Sequence, residues 1–355
     1  MRRKDNHALG AASPEWNLIL ACARTRLDDL QRRRIRELLN GSPLDWAGLI
    51  SLAARHRVDS LVSRILWSEF SDQVPAASLA CLKQAEGIRG HRNLCLTGRM
   101  IGLLDLFESA GLTVIPYKGP TLASLAYGNL ALRGSDDLDF VLPQREVTQA
   151  YRLLLDAGLR TALDPLSARD ARFLERGDLG QYLFLADHAS VMVELHTERT
   201  LRYFPEPLEW QGLQGRSEMV LVGGRSVRTF SVEDLLILLS VHGAKHFWNR
   251  LSWICDIAEL VQTPRGVDWD LSESLARRMG CRRMWLLGLS LAHEMLDAPI
   301  PAAIARWIRE ESGVAPLRAR VLATAIGNEE AQVKVAERLG LPSEPRGASV
   351  ACASG

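Results

Sequence analysis

The spacing of apolar residues changes twice along the chain. From Trp16 to about Ala110 it is helical: Leu18, Ile19, Cys22 and Leu27 begin one apolar face, and Asp45-Trp46 opens a helix reaching Arg55. Val58 to Phe70 continues the pattern, and a longer helix runs from His91 through Met100, Leu103, Leu104 and Phe107 to a stop at Gly111. Short β-branched runs follow. Leu112 to Tyr117 reads as a strand with Pro116 near its end, Pro120 to Tyr127 as a short helix, Leu138 to Leu142 as a second strand, and residues 144–157 as a helix ended by Gly158. Tyr182 to Leu185 and Val191 to Leu195 read as a hairpin around Asp187-His188-Ala189-Ser190. Helical spacing returns at Ser231 and continues through Val261, from Met284 to Met295 and from Ile304 to Ile308.

The expected class is α+β, a small mixed sheet with flanking helices. The organisation predicted is a disordered lead-in (1–14), a helical region (15–110), an α/β core (111–230), a second helical region (231–340) and a frayed tail (341–355). A helical region on each side of the core would wall a cleft for an acceptor molecule.

Three carboxylates stand out within the core. Asp137 and Asp139 alternate with apolar residues, so on a strand they share a face about 6.5–7 Å apart. Glu194, in Val193-Glu194-Leu195-His196, would arrive on a neighbouring strand. Such an oxygen-rich cage suits Mg²⁺, and two such ions about 4 Å apart serve phosphoryl displacement. His196 shares the face of Glu194 and reads as a hydrogen-bonded neighbour ahead of a direct ligand. Lys118-Gly119-Pro120 reads either as a strand-to-helix turn with a solvated lysine or as a helix start offering N–H groups and charge to a phosphate, with Arg133 and Ser135 as further donors. His242, Lys245, His246 and Asn249 fall on one helical stripe: a solvated face, or a cleft wall where Lys245 meets phosphate and a histidine meets base or ribose. As zinc ligands His242 and His246 lack a third partner. Trp253 and Asp256 read as packing and a buried hydrogen bond.

Composition narrows the field. Across 355 residues, 43 Lys plus Arg nearly cancel 42 Asp plus Glu, so no global field favours non-specific nucleic-acid binding. The six cysteines lie far apart and read as reduced thiols of a cytoplasmic protein. The first residues lack the apolar run of a signal peptide, and no segment approaches a membrane span. The anchors of P-loop, dinucleotide-binding and serine-hydrolase sites do not follow these strands.

At these residues the chain resembles the DNA polymerase β-type nucleotidyltransferase superfamily, and within it the uncharacterised nucleotidyltransferase family proteins. Asp45-Trp46 with Ala53 to Val58, Tyr117-Lys118-Gly119 with Arg133, Ser135, Asp137, Leu138 and Asp139, Val193 to His196, and His242 to His246 with Leu251, Trp253 and Asp256 carry the resemblance in order. It implies a nucleotidyltransferase-type sheet and transfer of a nucleoside monophosphate from an NTP, ATP being the expected donor, with release of pyrophosphate. Asp137 and Asp139 would hold two Mg²⁺ ions (or Mn²⁺). Glu194 would hold the catalytic ion and help deprotonate a hydroxyl or phosphate of a small-molecule, sugar or peptide acceptor. Lys118-Gly119-Pro120 stands where the superfamily usually has a Gly-Ser phosphate loop, and Glu194 where Asp is frequent. The competing expectation is a catalytically inactive nucleotide-binding or partner-regulating protein of the same fold.

Overall fold

The computed structural model describes residues 13–161, 180–186, 191–197 and 209–326. The expected turn Asp187-His188-Ala189-Ser190, the tail 341–355 and nearly all of the lead-in lie outside these residues. The elements run α1 (Pro14–Cys22), α2 (Asp29–Leu39), α3 (Trp46–Arg55), α4 (Asp59–Glu69), α5 (Ala76–Ser109), β1 (Ile115–Pro116), α6 (Gly119–Tyr127), β2 (Asp137–Val141), α7 (Val147–Asp156) and β3 (Leu159–Arg160). After these come β4 (Gln181–Ala186), β5 (Met192–His196), α8 (Trp210–Arg216), β6 (Glu218–Val222), β7 (Arg225–Thr229), α9 (Val232–Lys245), α10 (Leu251–Val261), α11 (Trp269–Arg278), α12 (Arg282–Leu296), α13 (Ala302–Glu310) and α14 (Val314–Ile326). The fold is α+β, as expected.

Helix starts follow local chemistry. The side chains of Ser13, Asp28, Asp45 and Ser231 accept hydrogen bonds from backbone N–H groups that the first turns of α1, α2, α3 and α9 leave unpaired. Helix α5 begins earlier than its apolar spacing announces. Its first half is rich in polar residues, and the regular buried face Leu96, Met100, Leu103, Leu104, Phe107 occupies only its second half.

The main sheet has the order β1-β2-β5-β4-β3, with β2 and β5 parallel and the other pairs antiparallel. Period-two alternation splits its residues cleanly. Leu138, Phe140, Val193, Leu195, Tyr182 and Phe184 are buried in a core with α5 and α7. The alternate residues, among them Asp137, Asp139 and Glu194, are thereby turned to the opposite face. A second core joins the two ends of the chain: Leu18 and Ile19 of α1 pack in one cluster with Leu236 and Leu239 of α9, Ile254 of α10 and Leu289 of α12. The helices before and after the sheet therefore meet each other rather than standing apart. Among the described residues, no helix is long and apolar enough to cross a membrane.

Candidate active site

Strand register brings the acids together. Asp139 on β2 lies directly opposite Glu194 on β5, and Val141 opposite His196, across a parallel pair whose strands run about 4.8 Å apart. His196 Nε2 lies 2.9 Å from Asp139 Oδ1 and 3.2 Å from Glu194 Oε2, bridging two acceptors as an N–H donor. Lys118 Nζ donates to the same Asp139 Oδ1 at 3.0 Å. From β4, Gln181 Nε2 donates to Glu194 Oε2 at 2.7 Å. Gln181 escaped the sequence reading because its role depends on the β4–β5 register, which sequence alone did not fix.

Asp139 shapes the electrostatics. Burial alone would raise its pKa, but the Lys118 ammonium and the His196 hydrogen bond hold the carboxyl well below its usual range. Burial likewise works against the Lys118 charge and is outweighed by Asp139, so the ammonium titrates above its ordinary value. Asp137 shifts upward, first through burial and then through the nearby Asp139 charge. His196 also shifts upward because its bonds to Asp139 and Glu194 outweigh burial.

The geometry suits a cation. Ligand atoms of Asp139, Glu194 and His196 lie within 4.8 Å of one another. Asp139 Oδ2 is buried and meets no hydrogen-bond donor among the described residues, an uncompensated position for an ionised oxygen. The donor set, two carboxylates with an imidazole bonded to both, fits a divalent ion held by Asp139 and Glu194 with His196 orienting them. Asp137, expected in the metal set, is not part of this tight group; its backbone carbonyl accepts from the Ser135 hydroxyl at 3.0 Å.

Gly119 shows why a small residue precedes Pro120. Its φ of +57° is left-handed, and a Cβ there would stand 3.4 Å from both Asp137 O and Ser135 Oγ. The first turn of α6 thus lies against the turn that leads into β2, beside Lys118.

Arg133 goes elsewhere. Expected to reach phosphate, it instead donates from Nε to Asp256 Oδ1 (2.7 Å) and from its terminal nitrogen to Oδ2 (2.9 Å), while the Tyr127 hydroxyl donates to Oδ1 at 2.7 Å. Asp256 lies on α10 and is buried, as its sequence reading anticipated, so this bidentate pair fixes the loop before β2 to a distant helix. Two further arginines, Arg57 and Arg92, pair with Asp136, the residue immediately before the acids.

The histidine stripe forms the end of α9. The His242 and His246 rings lie 4.8 Å apart, and each lies 5.2 Å from the Trp253 ring. His242 is pushed well below its ordinary pKa by burial and then by the Lys118 charge; Lys245 is exposed. Trp248 folds back onto α9, where a Cβ at Gly243 would overlap its ring. The metal-ligand grouping found among the described residues is the carboxylate one, not a histidine pair.

The model of the uncharacterised nucleotidyltransferase family matches residues 42–297, most of the chain and all of this site. The chain belongs to that family. As a member of it, the protein is an enzyme of the nucleotidyl-transferring class. Its structure is similar to the lincosamide antibiotic adenylyltransferase LnuA in its lincomycin-bound form, at 15% identity and a TM-score of 0.32, over 45% of this chain and 93% of that one. It is also similar to ANT(2'')-Ia in complex with adenylyl-2''-tobramycin, at 14% identity and a TM-score of 0.33, over 62% of this chain and 99% of that one. No curated protein matches the chain.

Proposed function

We propose that this nucleotidyltransferase transfers AMP from ATP, with Mg²⁺, to a hydroxyl of a small-molecule acceptor. The buried Asp139 Oδ2, without a hydrogen-bond partner among the described residues and on a carboxylate that Lys118 and His196 hold ionised, carries this reading: it is an anionic oxygen left for a cation. A divalent ion held by Asp139 and Glu194 would neutralise phosphate oxygens and acidify the acceptor hydroxyl.

The protein supplies the rest. Lys118 and the N-terminal turn of α6 receive the phosphates, with Ser135 on the adjoining turn. In the transfer, the acceptor oxygen bonds to the α-phosphorus and the bond from that phosphorus to pyrophosphate breaks. Pyrophosphate leaves with the electron pair, and the acceptor proton passes to Glu194. Gln181 and His196, both bonded to Glu194 Oε2, aim this carboxylate. His242 and His246 with Trp253 offer an aromatic wall for the base.

Pyrophosphate release across hydroxyl-bearing acceptors, compared between wild type and Glu194→Gln, tests this function. The expected outcome is release that falls about a hundredfold or more in the variant. Release unchanged by Glu194→Gln would overturn the role of that residue, and a folded wild type that releases none across the panel would favour the inactive nucleotide-binding reading.

A further inference from the structure

The site face of the sheet changes character from one edge toward the other. On the β1 side stands Lys118, just past the strand, its ammonium bonded to Asp139. The acids occupy β2 and β5. On β4, the register sets Leu183 directly opposite Glu194 and Leu185 opposite Met192. Because side chains alternate, Leu183 and Leu185 share the face of Glu194, while Tyr182 and Phe184 are buried in the core behind the sheet. The two leucines are 45% and 51% exposed among the described residues, although neighbouring apolar positions of the same sheet are buried. Gln181, the next residue along this face, ties the strand to Glu194.

We infer that Leu183 and Leu185 form an apolar shelf for the acceptor, and that the acceptor is therefore amphiphilic: a hydroxyl presented to Glu194, joined to an apolar arm about 5–10 Å long lying along β4. This rests on the transfer reading, in which Glu194 receives the acceptor proton. Its independent support is the register. Along the sheet from Glu194, the β1–β2 side is committed to the charged donor in the transfer reading. The opposite way along the sheet crosses one strand spacing, about 4.8 Å, onto Leu183. Water-exposed leucines beside a site for anionic phosphates serve no purpose toward the donor, whereas an apolar arm covering them would leave water.

The test uses the full chain with isotope-labelled leucine methyls, titrated with hexyl β-D-glucoside and with methyl β-D-glucoside. These probes carry the same hydroxyls and differ only in the arm. The shelf predicts saturable shifts at the Leu183 and Leu185 methyls with the hexyl compound and not the methyl one, and hexyl binding weakened about tenfold or more in Leu183→Ser, Leu185→Ser. Equal responses to both glucosides, no response to either, or hexyl binding unchanged in the double variant would overturn it. So would protection of these two methyls from a soluble paramagnetic agent in the free protein, because the chain itself would then cover the shelf. Titrating the same samples with MgATP separates the two claims. ATP binding without a glucoside response sinks the shelf alone; a response at the shelf in a protein that binds no ATP sinks the transfer reading.

Discussion

With Lys118 and His196 on one oxygen and, among the described residues, no donor on the other, Asp139 is balanced for a further ligand. Asp139→Asn should lower turnover by about a thousandfold or more, a barrier change of about 4 kcal/mol. It should also destabilise the fold by about 3 kcal/mol, because Lys118 then stays buried without its counter-charge. Adding Lys118→Met should restore part of that stability and none of the activity; denaturant unfolding and a transfer assay on the same preparations separate the effects. His56 makes a second residue-scale prediction. It is buried, its Nδ1 lies 3.3 Å from the Leu251 N–H, and burial followed by the Arg55 charge depresses its pKa to about 4. The unfolded chain binds a proton near pH 6.5 that the folded chain refuses, so this stabilisation is complete above 6.5 and is lost as pH falls toward 4. The loss is on the order of 3 kcal/mol. His56→Gln should flatten that part of the stability–pH curve, and an equally steep curve would contradict the assignment. The acids and Lys118 were legible because each sits in a short local pattern, whereas the partner of Arg133 lies 123 positions away and no local pattern announces it.

Among the elements, β2 and β5 were readable within a residue or two, because apolar and acidic residues alternate along them. The first expected strand shrinks to β1 since Pro116 has no N–H to extend a ladder. The β6–β7 hairpin and helices α2, α8, α11 and α14 were not foreseen; α2, with only Ile35 buried, has almost no apolar stripe to read. The helix carrying the histidine stripe was expected to reach Asn249, but α9 ends at Lys245 with His246 as its cap, and Phe247 and Trp248 both adopt left-handed φ values of 54° and 53°. That reversal seats Trp248 against Gly243. Gly243→Ala should therefore displace the ring and lower stability by about 1–3 kcal/mol, measurable as a drop in denaturation midpoint. The clamp between α10 and the loop before β2 is also testable. Arg133→Met should cost about 3–5 kcal/mol by stranding Asp256, and Arg133→Lys should recover little because a lysine cannot make the bidentate pair. Full stability in Arg133→Lys would contradict a structural role for the fork.

Across the whole molecule, the helices before and after the sheet share a core, tied further by Thr25 to Glu259 and by His56 to the start of α10. Sequence periodicity separated these helices into two regions because it records which residues are apolar, not which apolar faces meet. Through Arg133 with Asp256, and through Arg57 and Arg92 with Asp136, these helices grip the turn, residues 133–136, that leads directly into the acids. Placement of Asp137 and Asp139 is thereby a property of the entire fold. The central claim is that this placement creates a metal-dependent nucleotide site, and calorimetric titration with ATP tests it most directly. The account predicts binding by wild type with Mg²⁺ that is lost in EDTA and lost in a folded Asp137→Asn, Asp139→Asn variant. ATP binding that is indifferent to EDTA and to the double substitution, or no binding of ATP by the folded wild type with Mg²⁺, would contradict it.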